Sequence, residues 1–308
     1  YACARRNEKH KDCRETADLC VSRRKKRLQG IVFSCFIAFF LLFLLFPQKK
    51  SFEIDFLDVG QGDGIYLCTG GGTSMFIDGG STDVKQVGKY LILPFLKAKG
   101  VSEISYWFVS HTDTDHVSGL KEVLVSGYRV EYLVFAKAVE KEAKTKELAE
   151  LARSHGTKVL YMQAGDTVRS KRAAMRCLYP KASDKAEDVN DLCLVLQFEE
   201  GDIRALFCGD ISTDVEEQLS RREKWDKVLI FKADHHGSRY ANAEALLKCI
   251  RPEITVASAG KDNRYGHPSP DAVQRIKGSG SRFFCTIEGG RIRVRVIENK
   301  LVCETYVK

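Results

Sequence analysis

Ile104-Ser105-Tyr106-Trp107-Phe108-Val109-Ser110-His111-Thr112-Asp113-Thr114-Asp115-His116 runs an apolar strand pattern straight into a cluster of metal-capable side chains. A β-branched and aromatic run such as Ile104–Val109 reads as a buried strand. His111, Asp113, Asp115 and His116 therefore stand on the loop where that strand stops. Two imidazoles and two carboxylates mix nitrogen with hard oxygen donors, which suits Zn²⁺ or Mn²⁺ and not an all-thiolate structural site. The competing reading is a polar turn in which Asp113 or Asp115 caps the helix that follows.

One loop does not complete a metal site, so further donors are expected at other strand ends. Ile203-Arg204-Ala205-Leu206-Phe207 leads to Cys208-Gly209-Asp210, and Val228-Leu229-Ile230-Phe231 leads to Asp234-His235-His236-Gly237-Ser238. Ile254-Thr255-Val256-Ala257-Ser258 leads to Asn263, Tyr265, Gly266 and His267. Five of the chain's 7 histidines fall in these strand-end clusters, and only His10 and His155 lie elsewhere. Chance would scatter them, which favours a metal site over isolated surface histidines.

Outward from these clusters the texture is uniform. Strand candidates run from Phe52–Val59 to Arg291–Val296, and helix candidates from Lys85–Lys99 to Pro270–Lys277. No element is assigned between Tyr161 and Leu192 or after Val296. Together they predict one α/β domain over 52–308, with two sheets covered by helices. Gly60, Gly62 and Gly64 suit a turn with positive φ; their spacing is not a phosphate-cradling P-loop. Arg291, Arg293 and Arg295 alternate on one strand face, either towards DNA phosphates or as a solvated face.

The 308 residues carry a net charge of +8, which favours phosphate-rich partners or anionic membranes, although much of that charge is local. The 11 cysteines include no Cys-x-x-Cys; Cys35, Cys193, Cys208 and Cys285 sit in apolar runs and read as buried small hydrophobes. Ile31 to Phe46 is apolar apart from Ser34, and Arg23-Arg24-Lys25-Lys26-Arg27 precedes it. This predicts a polar, basic cytoplasmic segment over 1–28 and a transmembrane helix over 29–46. By the positive-inside bias, the chain beyond Pro47 lies on the extracytoplasmic side of the cell membrane. A signal peptide is the rival, disfavoured by the long polar stretch before the basic run. Tyr1 in place of Met predicts a piece of a longer protein.

Six ordered motifs resemble the C-terminal hydrolase domain of the ComEC family, the inner-membrane DNA-uptake channels of competent bacteria. They are Leu57-Asp58-Val59-Gly60-Gln61-Gly62-Asp63, Phe76-Ile77-Asp78-Gly79-Gly80, His111–His116, Cys208-Gly209-Asp210, His235-His236-Gly237-Ser238 and Tyr265-Gly266-His267-Pro268. The resemblance covers Phe52 to Val296. It implies a metallo-β-lactamase-like αββα sandwich with a dinuclear site on one edge, and degradation of the DNA strand that is not transported. The usual superfamily motif is His-x-His-x-Asp-His. Asp113 replaces its second His, as the ComEC-like group itself does, and the extra carboxylate favours Mn²⁺ relative to Zn²⁺. No isolated His between His116 and Asp210 suits an extra ligand; Asn190-Asp191 occupies that place.

The expected chemistry is phosphodiester hydrolysis with two divalent ions, Zn or Mn. His111 and Asp113 would hold one ion and Asp115 and His116 the other. Asp210 would bridge them, and His235 or His236 would complete the second site. Asp115 would also orient the attacking water, and His267 would donate to the leaving oxygen or touch a phosphate. Asn190 and Ser238 are candidates for phosphate contact, with a helix N-cap the alternative for Ser238. Asp58, Asp63 and Asp78 are candidates for steadying the ligand imidazoles. The expected function is a nuclease acting in DNA uptake, with DNA, the membrane and other competence or DNA-uptake components as partners. The alternatives are a free-standing hydrolase of another phosphodiester, lactone or thioester, and a non-catalytic DNA-binding module.

Overall fold

The computed structural model describes residues 24–40, 42, 51–298 and 300–307. The chain divides into two compact units, Tyr1–Lys49 and Lys50–Lys308. In the first, residues 24–40 form a helix, α1, whose Ile31, Phe33, Phe36 and Phe39 are exposed. Cys35 is exposed as well, contrary to the expectation of burial, as are its described neighbours on α1. The expected span 29–46 continues beyond residue 40 into residues that lie largely outside the described ones, as do residues 1–23 of the basic segment. Among the described residues no helix is long and apolar enough to cross a membrane.

The second unit begins with β1 (Glu53–Phe56), β2 (Gly64–Cys68) and β3 (Ser74–Asp78), paired antiparallel in chain order. From β3 the chain turns to parallel crossovers: β4 (Glu103–Phe108), β5 (Arg129–Ala136) and β6 (Lys158–Met162). The crossing helices are α2 (Leu93–Ala98), α3 (Thr114–Val125) and α4 (Ala143–Ser154). A second sheet repeats the plan. Its antiparallel part is β7 (Thr167–Ser170), β8 (Ala173–Tyr179), β9 (Val195–Glu200) and β10 (Ile203–Phe207). Its parallel part is β11 (Ile230–Lys232), β12 (Ile254–Ala257) and β13 (Arg282–Cys285), joined through α5 (Thr213–Arg222), α6 (Glu244–Ile250) and α7 (Pro270–Gly278). A short helix, α8 (Thr286–Gly289), then returns the chain to the first sheet, where β14 (Arg291–Ile297) pairs with β1 and β15 (Lys300–Tyr306) forms the edge.

Residue alternation sorts the core into layers. Leu194, Leu196 and Phe198 face the space between the sheets with Ile54, Phe56 and Phe207, while Cys193 and Val195 face the other way. On that outer side Leu206 and Phe231 pack under Leu219, Leu246 and Ile276 of α5, α6 and α7. The first sheet mirrors this, with Phe76 and Trp107 under Leu120 and Leu148 of α3 and α4. Period-two side chains on strands thus give each sheet two buried faces, and the layers run helix, sheet, sheet, helix, as expected.

Three strands were not expected. β7 is a short edge strand with one apolar residue, β8 starts with the good helix formers Ala173-Ala174-Met175-Arg176, and β15 is only partly buried along its core face. The expected helix Lys85–Lys99 is instead a π-helical turn over Gly88–Ile92 followed by α2, because Pro94 supplies no amide proton to an α-helical ladder. Arg291 and Arg293 pair with Asp55, and Arg295 pairs with Glu304. This arginine row serves internal ion pairs of the sheet and is not a free face for DNA phosphates.

Candidate metal centre

The parallel strands of both sheets end on the same rim of the sandwich, and the donor clusters lie there. Asp78 closes β3 in a left-handed conformation, φ 56°. Its Oδ1 accepts from Ser110 N at 2.8 Å, its Oδ2 accepts from Ser110 Oγ at 2.8 Å, and Oδ2 lies 2.9 Å from His116 Nδ1. Asp78 therefore joins the ends of β3 and β4 and contacts the His116 ring. Close packing makes this possible: a Cβ on Gly62 would lie 2.4 Å from Gly80 O and 2.5 Å from Asp115 O. Glycine at position 62 lets the β1–β2 loop sit directly against the start of α3.

Asp113 occupies the N-cap position of α3, yet its side chain caps nothing. Instead its carboxylate meets Lys144 Nζ at 2.8 Å and lies 4.0 Å from His111 Nε2. The capping reading of this loop is thereby set aside, and the carboxylate faces the cleft. The double histidine sits in two successive left-handed residues, His235 at φ 48° and His236 at φ 55°. Asn242 holds the start of that turn: its Oδ1 accepts from Asp234 N and its Nδ2 donates to Asp234 O, both at 3.0 Å. Buried Glu216 on α5 in turn accepts from the backbone N–H groups of Asn242 and Ala243. Burial pushes the Asp234 and Glu216 carboxyls above their usual range.

The two adjacent histidines differ sharply. His236 is buried, its Nδ1 donates to Ser258 O at 3.0 Å, and its Nε2 lies 3.4 Å from Asp210 Oδ2 and 3.5 Å from Asp115 Oδ2. His235 is one-third exposed, with Nε2 3.7 Å from Asp210 Oδ2. His116 Nε2 also lies 3.4 Å from that oxygen. Asp210 is thus the point on which three imidazoles converge, at distances too long for good hydrogen bonds.

Whether these residues fit a metal can be judged from their unmet valences. His116 Nε2, His236 Nε2, Asp210 Oδ1 and Asp63 Oδ1 are all buried without a hydrogen-bond partner. Each orphan of this kind costs about 1–3 kcal/mol, and a cluster of them is unreasonable in a core unless something joins them. One ligand atom from each of Asp63, His116, Asp210 and His236 lies within 4.8 Å of the others. The outer nitrogen of each imidazole is already fixed by Asp78 or Ser258 O, which leaves the inner lone pair for a cation. The donor set fits a divalent metal.

The electrostatics agree. Burial alone would lower the His116 and His236 imidazoles, but Asp210 with Asp78 raises the first well above its usual value, and Asp210 with Asp63 raises the second to about 9. Burial would raise Asp210, but His236 and His116 hold it well below the carboxylate range. Burial likewise opposes, and His236 and His116 drive, the lowering of Asp115 to about 2. Protons on these imidazoles occupy the electrostatic place of a cation. Burial and the neighbouring His116 charge lower His111 to about 4.

A cleft of about 210 Å³ opens over this cluster, lined by His111, Asp113, Asp115, Asp210, His235, His236 and His267. Asn190, a candidate for phosphate contact, also lines it. Ser238 does not line it: it is buried, and its Oγ accepts from Tyr240 N, so it shapes the turn after the histidines. Neither is it the N-cap of α6, a position held by Ala243. Asp58 is half-buried in the β1–β2 loop and is not among the cleft residues. Asp63 does more than steady a ring, because Lys232 Nζ meets its Oδ2 at 2.8 Å while Oδ1 lies 3.7 Å from His236 Nδ1. Burial pushes Asp63 up, but Lys232 and His236 bring it below its usual value.

Lys232 and Lys144 had no role in the sequence reading, and Gln61 and Tyr265 stood in its motifs without one. Lys232 had a visible signal, a lone cation closing an apolar strand two residues before Asp234. Lys144 had none, since only the fold brings α4 beside Asp113.

No family model matches the chain. Among curated proteins it is 29% identical over 274 residues to ComE operon protein 3 of Bacillus subtilis (strain 168), covering 85% of this chain and 35% of that protein. It is 26% identical over 274 residues to Recombination protein 2 of Haemophilus influenzae, covering 88% and 32%. Competence protein ComA of Neisseria gonorrhoeae is 28% identical over 250 residues, covering 80% and 32%. The chain spans about a third of the length of these relatives. Among solved structures, the metallo-β-lactamase fold protein YhfI from Bacillus subtilis superposes with a TM-score of 0.53 at 12% identity, covering 79% of this chain and 99% of that one. CmlA, a diiron β-hydroxylase from Streptomyces venezuelae, gives 0.54 at 15%, covering 81% and 55%. The fold is of the metallo-β-lactamase type, and the resemblance to the ComEC family rests on homologous competence proteins.

Proposed function

We propose that this metallo-β-lactamase-fold chain, similar over most of its length to competence proteins, is a metal-dependent phosphodiesterase that degrades DNA during uptake. The observation that carries the reading is the set of buried, unpartnered donors around Asp210 beneath an open cleft. Asp115, His116, His236 and Asp210 would hold one divalent ion, and His111 and Asp113 would share Asp210 around a second. Bound ions supply a water acidified to near neutral pH and neutralise charge on the phosphate oxygens. The carboxylates of Asp113, Asp115 and Asp210 weigh the donor set towards Mn²⁺.

The chain's own groups do the rest. Asp78 and Ser258 O keep two imidazoles in the tautomer that turns a lone pair inward. Asp115, at the cleft wall, orients the attacking water. Burial and the charges of His236 and His235 lower His267 to about 4, so at neutral pH it offers a neutral N–H to a phosphate oxygen. Asn190 faces the same oxygens from across the cleft. The apolar run Ile31–Phe46 behind five basic residues supports a membrane tether with this unit on the extracytoplasmic side, near DNA-uptake partners.

The test is cleavage of end-labelled single-stranded DNA by the purified chain with Mn²⁺ or Zn²⁺. Cleavage abolished by Asp210→Ala is expected. Tight DNA binding by metal-loaded protein without any cleavage would overturn the reading.

A further inference from the structure

We propose that the groove between α7 and α8 is the subsite for the nucleoside flanking the scissile phosphate, a specificity element of the phosphodiesterase reading on which it rests. The groove is an open one of about 890 Å³, within the usual range of small-molecule sites. Its apolar surface comes from Val273, Phe283 and Ile287, and Lys277 stands at one side. The Lys277 Nζ lies 5.9 Å from the centroid of the Phe283 ring. An apolar strip beside a cation is what a nucleotide needs, with the strip for the base and the cation for the next backbone phosphate. Gln274 adds an amide for base edges, and exposed Glu288 stands at the rim.

Continuity with the metal cleft selects this occupant. His267 lines both cavities, so a strand whose phosphate lies over Asp210 passes His267 directly into the groove. Tyr265 stacks on His267, with ring centroids 5.6 Å apart and planes 23° apart, and keeps that shared wall flat. The opposite exit from the cleft is unsuited. There the cavity is about 180 Å³, and Glu142 meets a polyanion with like charge. Lys144 on that side is already paired with Asp113. Size directs the strand towards α7 and α8, where Lys277 offers its backbone a cation.

Two substrates with the same leaving group separate the groove from the chemistry. Thymidine 5′-(4-nitrophenyl phosphate) and its 3′ isomer carry a nucleoside, and methyl 4-nitrophenyl phosphate does not. With the metal-loaded full chain, one of the two isomers is expected to exceed the methyl ester about tenfold or more in kcat/KM, by the usual worth of one stacked base. Lys277→Ala, at an exposed position, and Phe283→Ala are expected to shrink that ratio through KM while leaving methyl ester hydrolysis unchanged. Equal rates for all three substrates in the unaltered protein would overturn the subsite and leave the phosphodiesterase standing. Hydrolysis of none would overturn the proposed function. The groove would then be judged by the affinity of a 2-aminopurine-labelled oligothymidylate: weakening of Kd by both substitutions supports it, and an unchanged Kd overturns it.

Discussion

The two halves of the metal centre are built to different standards. On one side His116 and His236 are buried, and each outer nitrogen is held by a fixed acceptor, Asp78 or Ser258 O. On the other side Asp113 is 48% exposed, its carboxylate is drawn to Lys144, and His111 reaches it only at 4.0 Å. The first half is preorganised and the second must rearrange. Ligands locked by a supporting set of contacts hold a metal more tightly than ligands left free to choose other partners. If two ions bind as proposed, the contrast predicts that they are unequal, the one at His116 and His236 held tightly and the one at His111 and Asp113 weakly.

The largest expected effect undermines the rigid half from below. Lys232→Met would leave Asp63 a buried charge without its partner, and such losses cost roughly 3–5 kcal/mol. Denaturant unfolding should show it; an unchanged midpoint would mean the Lys232–Asp63 pair is not a support. Next is pH. In metal-free protein the His236 imidazole is raised from 6.5 to about 9, so its stabilising contribution is complete below pH 6.5 and is lost as pH rises through about 9. A shift of that size is worth about 3 kcal/mol. Thermal unfolding of metal-free protein should therefore weaken between pH 7 and 10, and metal-loaded protein should weaken much less. Equal slopes would break the idea that protons and metal compete for the same imidazoles.

A sharper comparison pairs Asp78→Ala with Asp113→Ala in calorimetric metal titrations. Asp78→Ala should weaken the tighter ion by about 10–100-fold, and Asp113→Ala should affect only the weaker one. If both variants weaken the same ion, the two halves are not independent. The smallest effect belongs to Lys144→Ala. Exposed ion pairs are worth about 0–1 kcal/mol, so freeing Asp113 should tighten the weaker ion by no more than about fivefold.

The strand-end donors were legible because their chemistry and their placement share one cause. A strand buried on both faces must be apolar, so polar residues collect where it ends, and sheets of parallel strands bring those ends to one rim. His111, His116, Asp210 and the double histidine could be read in that way. The burial of His236 beside a part-exposed His235 could not, since it follows from two left-handed residues and from Ser258 O just past the end of β12. Lys144 and the Glu216–Asn242 support are equally non-local. β8 was hidden because Ala-Ala-Met-Arg favours a helix in isolation, and pairing with β9 overrides that preference.

One pairing also bears on how the molecule is made. β1, among the first described elements of its unit, lies between β2 and β14, and Arg293 reaches back across 238 positions to buried Asp55. Until the ribosome has released residues near 291, β1 has an open edge and Asp55 lacks its guanidinium. Such distant contacts slow folding, and an unpaired strand edge invites association with other chains. A nascent chain of this protein therefore depends on the late-made β14 to close the sheet that β1 opens.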